Sequence, residues 1–264
     1  MPRHRCPHCS SPHAWSVRRG SRKCKNCRRE WTPRRAISLG IRADAKAWKR
    51  FIVAALRYRT VAAIRLHTKQ SHPVVLAMYA RLRGVMARDM PETLSGTVEV
   101  DETYIGPQWR NRPWSVRKRG TKKGRGTSKQ PVFGILERDR GVVLAFLVPD
   151  VKKRTLMPII VERVKKGSLI CSDAYQLYQE TVREGFRHAF VDHKQHEYAR
   201  GEIHSNTMEG FWGLLKRRLK TTGGVRKERL HLYVAEEAWR YNQRKLPETK
   251  KVERLLGLLR QVGG

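Results

Sequence analysis

HSNTMEGFWGLLKRR, residues 204–218, decides how the chain is read. Met208, Phe211, Trp212, Leu215 and, just beyond, Leu219 recur every three or four residues, the spacing of one buried helix face. A helix over about 205–220 is expected, with that stripe packed on a sheet. A second line along it carries Asn206, Glu209, Gly213 and Lys216, at offsets of 3, 7 and 10. Asn206 and Glu209 are open to two readings. Asn-x-x-Glu is a capping-box spacing, which closes exposed N–H groups of the first turn. Alternatively, both residues point to one place beside the helix and one of them holds a cation. Gly213 would then let DNA or metal come close, and Lys216 would touch a phosphate.

The cation reading needs further carboxylates, and acids are scarce here: 23 Asp and Glu against 57 Lys and Arg. Two of them end apolar runs. Asp101 follows Val98-Glu99-Val100 in GTVEVDETYIG, a strand by its Thr, Val, Tyr and Ile content. Asp173 follows Leu169-Ile170-Cys171-Ser172, a short buried strand. Carboxylates meeting at one point repel, and a divalent cation relieves that cost. Oxygen donors in incomplete shells suit Mg²⁺ or Mn²⁺. Glu99 lies on the face of Asp101, as a base behind it or as a structural acid; Glu102 should face away. Ser172 lacks a positioned His-Asp pair in the sequence, so a serine nucleophile is discounted. A nucleophilic Tyr175 or Tyr241 would leave the acids without a purpose. His193, His196 and His204 surround the helix start and read as solvated or packing residues.

Elsewhere in this half a hairpin is expected over 132–148 with its turn at 139–141. Helices are expected over 155–164, 175–184 and 228–240, and a short strand over 189–192. The pattern is an α/β layer fold with a mixed sheet. Residues 107–130 hold nine Lys or Arg, two Trp and no acid. They form a basic loop that is solvated, or orders on a phosphate backbone, or both.

A formal net charge of +34 favours a polyanionic partner, most simply nucleic acid. No apolar run approaches a membrane span, and the N-terminus lacks the apolar segment of a secretory signal. A soluble intracellular protein is expected. Cys6-x2-Cys9 and Cys24-x2-Cys27, fourteen residues apart, then read as a four-thiolate zinc site rather than two disulfides. Residues 1–40 hold too few apolar side chains to fold without such a staple. His8 and His13 are not needed in a shell four thiolates fill. Cys171 reads as a buried, inert thiol. Over 41–92 the outline is helix, short helix, turn, basic helix, with Asp44 as a cap, Pro73 in a first turn and Arg81, Arg83 and Arg88 at polar positions. It fits a helix-turn-helix or a helical linker bundle with a basic face.

VEVDETYIG, SDAYQLY, HSNTMEGFWGLLKRR and WRYNQR resemble the DDE transposases of insertion sequences, and CPHCS…CKNCRREW resembles the N-terminal ribbon of their zinc-ribbon, ISXO-like group, also named after insertion sequence fifteen-ninety-five. The resemblance covers nearly the whole chain. One departure is Pro107, where a second glycine after Tyr-x-Gly is expected. The resemblance implies a zinc ribbon over 1–40, a helix-turn-helix-like region over 41–92, an RNase H-like catalytic domain over 93–248 and a tail helix over 249–264. It implies Asp101 and Asp173 as Mg²⁺ or Mn²⁺ ligands, with the third ligand from the helix. Family members carry Glu or Asn there. Thirty-five residues separate Glu209 from Asp173, Lys216 follows seven later, and both spacings favour Glu209; Asn206 stays a candidate. Lys216, Arg217 and Arg218, with Arg117, Lys118, Arg119, Lys122 and Lys123 of the loop, are expected on DNA phosphates. The implied partners are double-stranded DNA, as transposon ends and target, and a second copy of the chain. The implied setting is the nucleoid of a prokaryotic cytoplasm. The activity would be metal-dependent strand cleavage and strand transfer; the alternatives are a non-catalytic zinc-ribbon DNA-binding regulator or domesticated transposase, and a nuclease that cuts without joining.

Overall fold

The computed structural model describes residues 5–6, 8–17, 21–31, 41, 43–58, 60–106, 114–118, 129–172, 178–190, 206–222 and 224–262, with the backbone alone at 116, 117, 178–180, 190 and 206. A three-stranded antiparallel ribbon comes first: β1 (Ala14–Ser16), β2 (Arg22–Cys24) and β3 (Glu30–Trp31). Its only buried apolar residues among those described are Cys6 and Cys24. None of its described residues belongs to the three hydrophobic cores that the described residues form.

Three helices follow. In α1 (Ala45–Arg57), Asp44 caps the start by accepting from the Ala47 N–H at 2.7 Å. In α2 (Val61–Thr68), Thr60 does the same for Ala63. Lys69, at φ 55°, ends α2 in the left-handed region and turns the chain into α3 (His72–Arg88), which has Pro73 in its first turn. Trp48, Phe51 and Ile52 of α1 pack with Ile64 of α2 and Met78, Tyr79 and Leu82 of α3. The same core takes Trp239, and Val252, Leu255 and Leu259 of the last helix, α9 (Glu248–Val262). The C-terminal helix therefore closes the N-terminal bundle rather than trailing from the end of the chain.

The middle of the chain forms a five-stranded mixed sheet in the order β6-β5-β4-β7-β8. Its strands are β4 (Thr97–Ile105), β5 (Gln130–Glu137), β6 (Val142–Leu147), β7 (Leu169–Ser172) and β8 (Arg187–Phe190). β5 alone runs against the others. Between β4 and β5 lies a single helical turn, α4 (Trp114–Arg117). β8 begins two residues before the expected 189, because Gly185, at φ 86°, turns the chain directly after α6 (Tyr178–Arg183). Strand alternation divides the sheet. Val98, Val100, Phe133 and Ile135 face a core shared with α5 (Lys153–Arg163). Val132 and Leu136 face a second core with α7 (Asn206–Thr221) and α8 (Leu230–Asn242). The helices on both faces make a three-layer α/β/α unit, as patterned in the sequence.

Candidate active site and metal centre

Asp101 sits half-buried in β4 on the face turned to α7. Its Oδ1 accepts from the Glu102 N–H at 2.7 Å, and its Oδ2 accepts from the Trp212 indole N–H at 2.8 Å. Two residues back on the same face, Glu99 is fully buried. One of its oxygens pairs with Arg138 at 2.7 Å, and the other accepts from the Met208 N–H at 2.9 Å. Glu99 is thus a structural acid that satisfies a first-turn donor of α7. A negative charge also suits the positive end of that helix.

The expected stripe packs as read: Met208, Phe211, Trp212 and Leu215 are buried, while Glu209 and Lys216 are exposed on the flank. Helix α7 starts at Asn206, so Asn206 occupies the first helical position rather than the cap position of a capping box. The Asn206 side chain lies outside the described residues. Glu209 follows Met208 directly and precedes Trp212 by three, which brings its backbone to the acidic face of β4. Gly213 has room for a side chain, its nearest neighbour being Arg217 at 3.7 Å. Asp173 lies outside the described residues. β7 ends one residue before it and pairs in parallel with β4 through Glu99 and Cys171.

Two expectations are corrected: Arg218, expected on DNA phosphates, and Arg83, expected at a polar position, are both buried. Arg218 is 4% exposed, and its guanidinium reaches Glu236 at 3.4 Å. Arg83, expected on a polar face, is buried as well and holds Glu236 at 2.7 Å between the rings of Tyr79 and Tyr233. A basic residue with an opposite charge on a neighbouring helix goes inside despite its type, and no local spacing reveals that partner. Lys216, Arg217 and, on α3, Arg81 and Arg88 stay exposed. Lys118 is exposed and stacks its ammonium over Trp114, 5.3 Å from the ring centre. Arg119, Lys122, Lys123 and the Arg117 side chain lie outside the described residues, as do His193, His196, His204 and Tyr175.

Ser172 does have a histidine: its Oγ is 2.9 Å from His188 Nε2, although His188 sits in another strand and was not legible as a partner. Ser172 is buried, and burial lowers the His188 pKa. Tyr241 packs edge-on against Phe211 beneath Arg244, a structural position. Burial pushes the Cys171 thiol up, which keeps it inert.

In the ribbon, the Sγ atoms of Cys6, Cys9, Cys24 and Cys27 all lie within 4.8 Å of one another. Cys6–Cys27 and Cys9–Cys24 are 3.6 and 3.5 Å apart, and all four cysteines are free thiols. A tetrahedral ion with bonds of ~2.3 Å has sulfur–sulfur edges of ~3.8 Å, so the four sulfurs fit one metal. The two knuckles repeat each other. The Cys6 and Cys24 sulfurs each accept a backbone N–H at 3.4 Å, from His8 and Cys27. Four residues after each first cysteine, Ser10 and Arg28 adopt positive φ. His8 and His13 are exposed and outside the cluster. Cys24→Ser should abolish metal content, measured by elemental analysis, and erase ordered amide resonances of residues 5–31. The thermal transition of the remaining chain should stay in place.

The chain matches the ISXO2-like transposase domain over residues 93–242, and it belongs to that transposase family. It is 35% identical over 100 residues to an "Uncharacterized transposase-like protein" of Haemophilus influenzae, covering 38% of this chain and 80% of that one. It is 28% identical over 245 residues to an "Uncharacterized protein in transposable element ISH50" of Halobacterium salinarum, covering 87% and 82%. A likeness to a chain in the cryo-EM structure of the simian T-cell lymphotropic virus intasome with PP2A regulatory subunit B56 gamma has 13% identity and a TM-score of 0.34, over 72% of this chain and 67% of that one. That score is too low to bear on the fold. No described helix is long and apolar enough to cross a membrane.

Proposed function

We propose that the chain is a DDE-type transposase that binds transposon ends, cleaves them and joins them to target DNA. The observation that carries this reading is the Trp212–Asp101 hydrogen bond, because it ties the helix bearing exposed Glu209 to the strand bearing the first aspartate. The sheet order, with only β5 reversed, supports an RNase H-like catalytic core. Asp173 stands two residues beyond Cys171, as Asp101 stands two beyond the Glu99 with which Cys171 pairs. Asp101, Asp173 and Glu209 would hold two Mg²⁺ or Mn²⁺, and carboxylate oxygens are the donors such hard cations take. The bound pair supplies an activated attacking oxygen and stabilises the leaving one.

In the first step a water oxygen bonds to phosphorus at the transposon boundary, and the departing 3′-oxygen leaves as a hydroxyl. In the second, that hydroxyl attacks a target phosphodiester and displaces the target's own 3′-oxygen, so the number of phosphodiester bonds is conserved. Lys216 and Arg217 on α7, and the basic loop, bind backbone phosphates beside the site. The four-thiolate ribbon holds Zn²⁺, and with the α2–α3 pair it recognises the ends. Synapsis of two ends requires at least two copies of the chain, working on DNA in the cell interior.

The test is incubation of the protein with Mg²⁺ and DNA carrying the sequences that flank its gene, followed by mapping of new 3′-hydroxyls. Cuts at fixed flanking positions and joined products are expected. Binding with no cut would favour a non-catalytic regulator, and scattered cuts without joining a nuclease.

A further inference from the structure

The proposed site contains a feature that the acidic triad does not account for: the two acids on the inner face of β4 are both bonded to α7. Glu99 takes the Met208 N–H, and Asp101 takes the Trp212 indole N–H. The spacings match. Two residues of strand advance ~6.7 Å. Four residues of helix advance ~6.0 Å, and the Met208 backbone N–H and the Trp212 indole N–H meet Glu99 and Asp101 respectively. Sliding α7 by one residue would break both bonds and rotate Glu209 by ~100°.

Gly134 makes the second bond possible. It lies directly opposite Asp101 in β5. A Cβ there would fall 1.7 Å from the Met208 methyl and 2.7–2.8 Å from two Trp212 ring carbons. The missing side chain is the space through which the buried indole crosses β5 to the carboxylate.

We propose that Trp212 is a positioning residue that aims the Asp101 carboxylate at a cation, with Glu99 setting the height of α7; this rests on Asp101 being a metal ligand. The chemistry of the donor is the reason. An indole N–H only donates and carries no charge, so it fixes a carboxylate without neutralising it. Lys or Arg in its place would compete with the cation, and His would titrate. Each carboxylate oxygen accepts more than one partner, so Trp212 and the Glu102 N–H can orient Asp101 while it ligates. Partners that orient metal ligands are commonly worth 10–100-fold in metal affinity.

The test uses Trp212→Phe, which keeps an apolar ring and removes the N–H, and reads Mn²⁺ affinity by calorimetry without DNA. A ~10-fold weaker affinity is expected. The Mg²⁺ concentration for half-maximal cleavage should rise in proportion, and the rate at saturating Mg²⁺ should recover to within a few-fold. In ¹⁵N spectra the indole resonance lost in Trp212→Phe should be the one that moves in Asp101→Asn. Unchanged Mn²⁺ affinity in Trp212→Phe, with weakened affinity in Asp101→Asn, would overturn the proposal and leave the site reading standing. Unchanged affinity and cleavage in Asp101→Asn would instead remove the site reading. If Trp212→Phe does not fold, the indole resonance of Asp101→Asn decides: no movement overturns the bond.

Discussion

Asp101→Asn should lower strand cleavage by about 1,000-fold or more, several kcal/mol of transition-state stabilisation. Fold and DNA affinity should stay close to wild type. The variant isolates charge from shape. The one asparagine oxygen can still accept from Trp212, at the cost of the Glu102 N–H bond, and the Met208 N–H bond to Glu99 is untouched, so α7 keeps its seat on β4. What is lost is one negative charge at the point where the cations would sit. Removing an acid from a chain of net charge +34 does not weaken its attraction to phosphates. The assay therefore pairs single-turnover cleavage with a binding titration at fixed salt. Parallel loss of both would place Asp101 in DNA binding instead.

Glu236→Ala should have the largest effect on stability. Glu236 is 1% exposed and accepts from Arg83, Arg218 and Arg240, which come from α3, α7 and α8. Burial alone would raise its pKa. The Arg240, Arg83 and Arg218 guanidiniums outweigh burial and hold it at about 2. Truncation leaves three buried cations around an apolar methyl, a loss of roughly 3–5 kcal/mol. In a chain of this size that lowers the melting temperature by on the order of 10 °C. The folded-state pKa is depressed, so the contribution is complete above the ordinary glutamate value of about 4.3. It is lost as pH falls from there toward about 2. Thermal melts between pH 7 and pH 3 should show wild type converging on Glu236→Ala at the acid end. Curves that stay parallel would contradict the linkage.

The elements were largely legible because their signals are local. Periodicity gave α7 its buried face, Asp44 and Pro73 marked helix starts, and paired cysteines marked the ribbon. What sequence could not give was pairing across the fold. Arg83 and Arg218 look like surface bases until Glu236, far along the chain, is seen between them. Glu99 and Asp101 look alike in VEVDETYIG, yet Arg138 and the Met208 N–H make one structural and Trp212 leaves the other at the site edge.

WRYNQR is instructive for the same reason. It reads as a functional block, but its described contacts hold the fold together. Trp239 donates to Asp89, and Arg240 to the carbonyls of Ala55 and Leu56. Asn242 pairs with both backbone groups of Val143 on the sheet's edge strand, and Arg244 closes on the Gly141 carbonyl. The Trp239 and Asn242 chemistry was visible; their hydrogen-bond partners lie 99 or more residues away.

The most direct test of the metal site is an anomalous difference map from crystals grown with end DNA and Mn²⁺. Peaks bonded to the carboxylates of Asp101, Asp173 and Glu209, beside the scissile phosphate, are the expected result. A peak that bypasses Asp101, or one held by Asn206 with Glu209 turned away, would contradict the assignment made here.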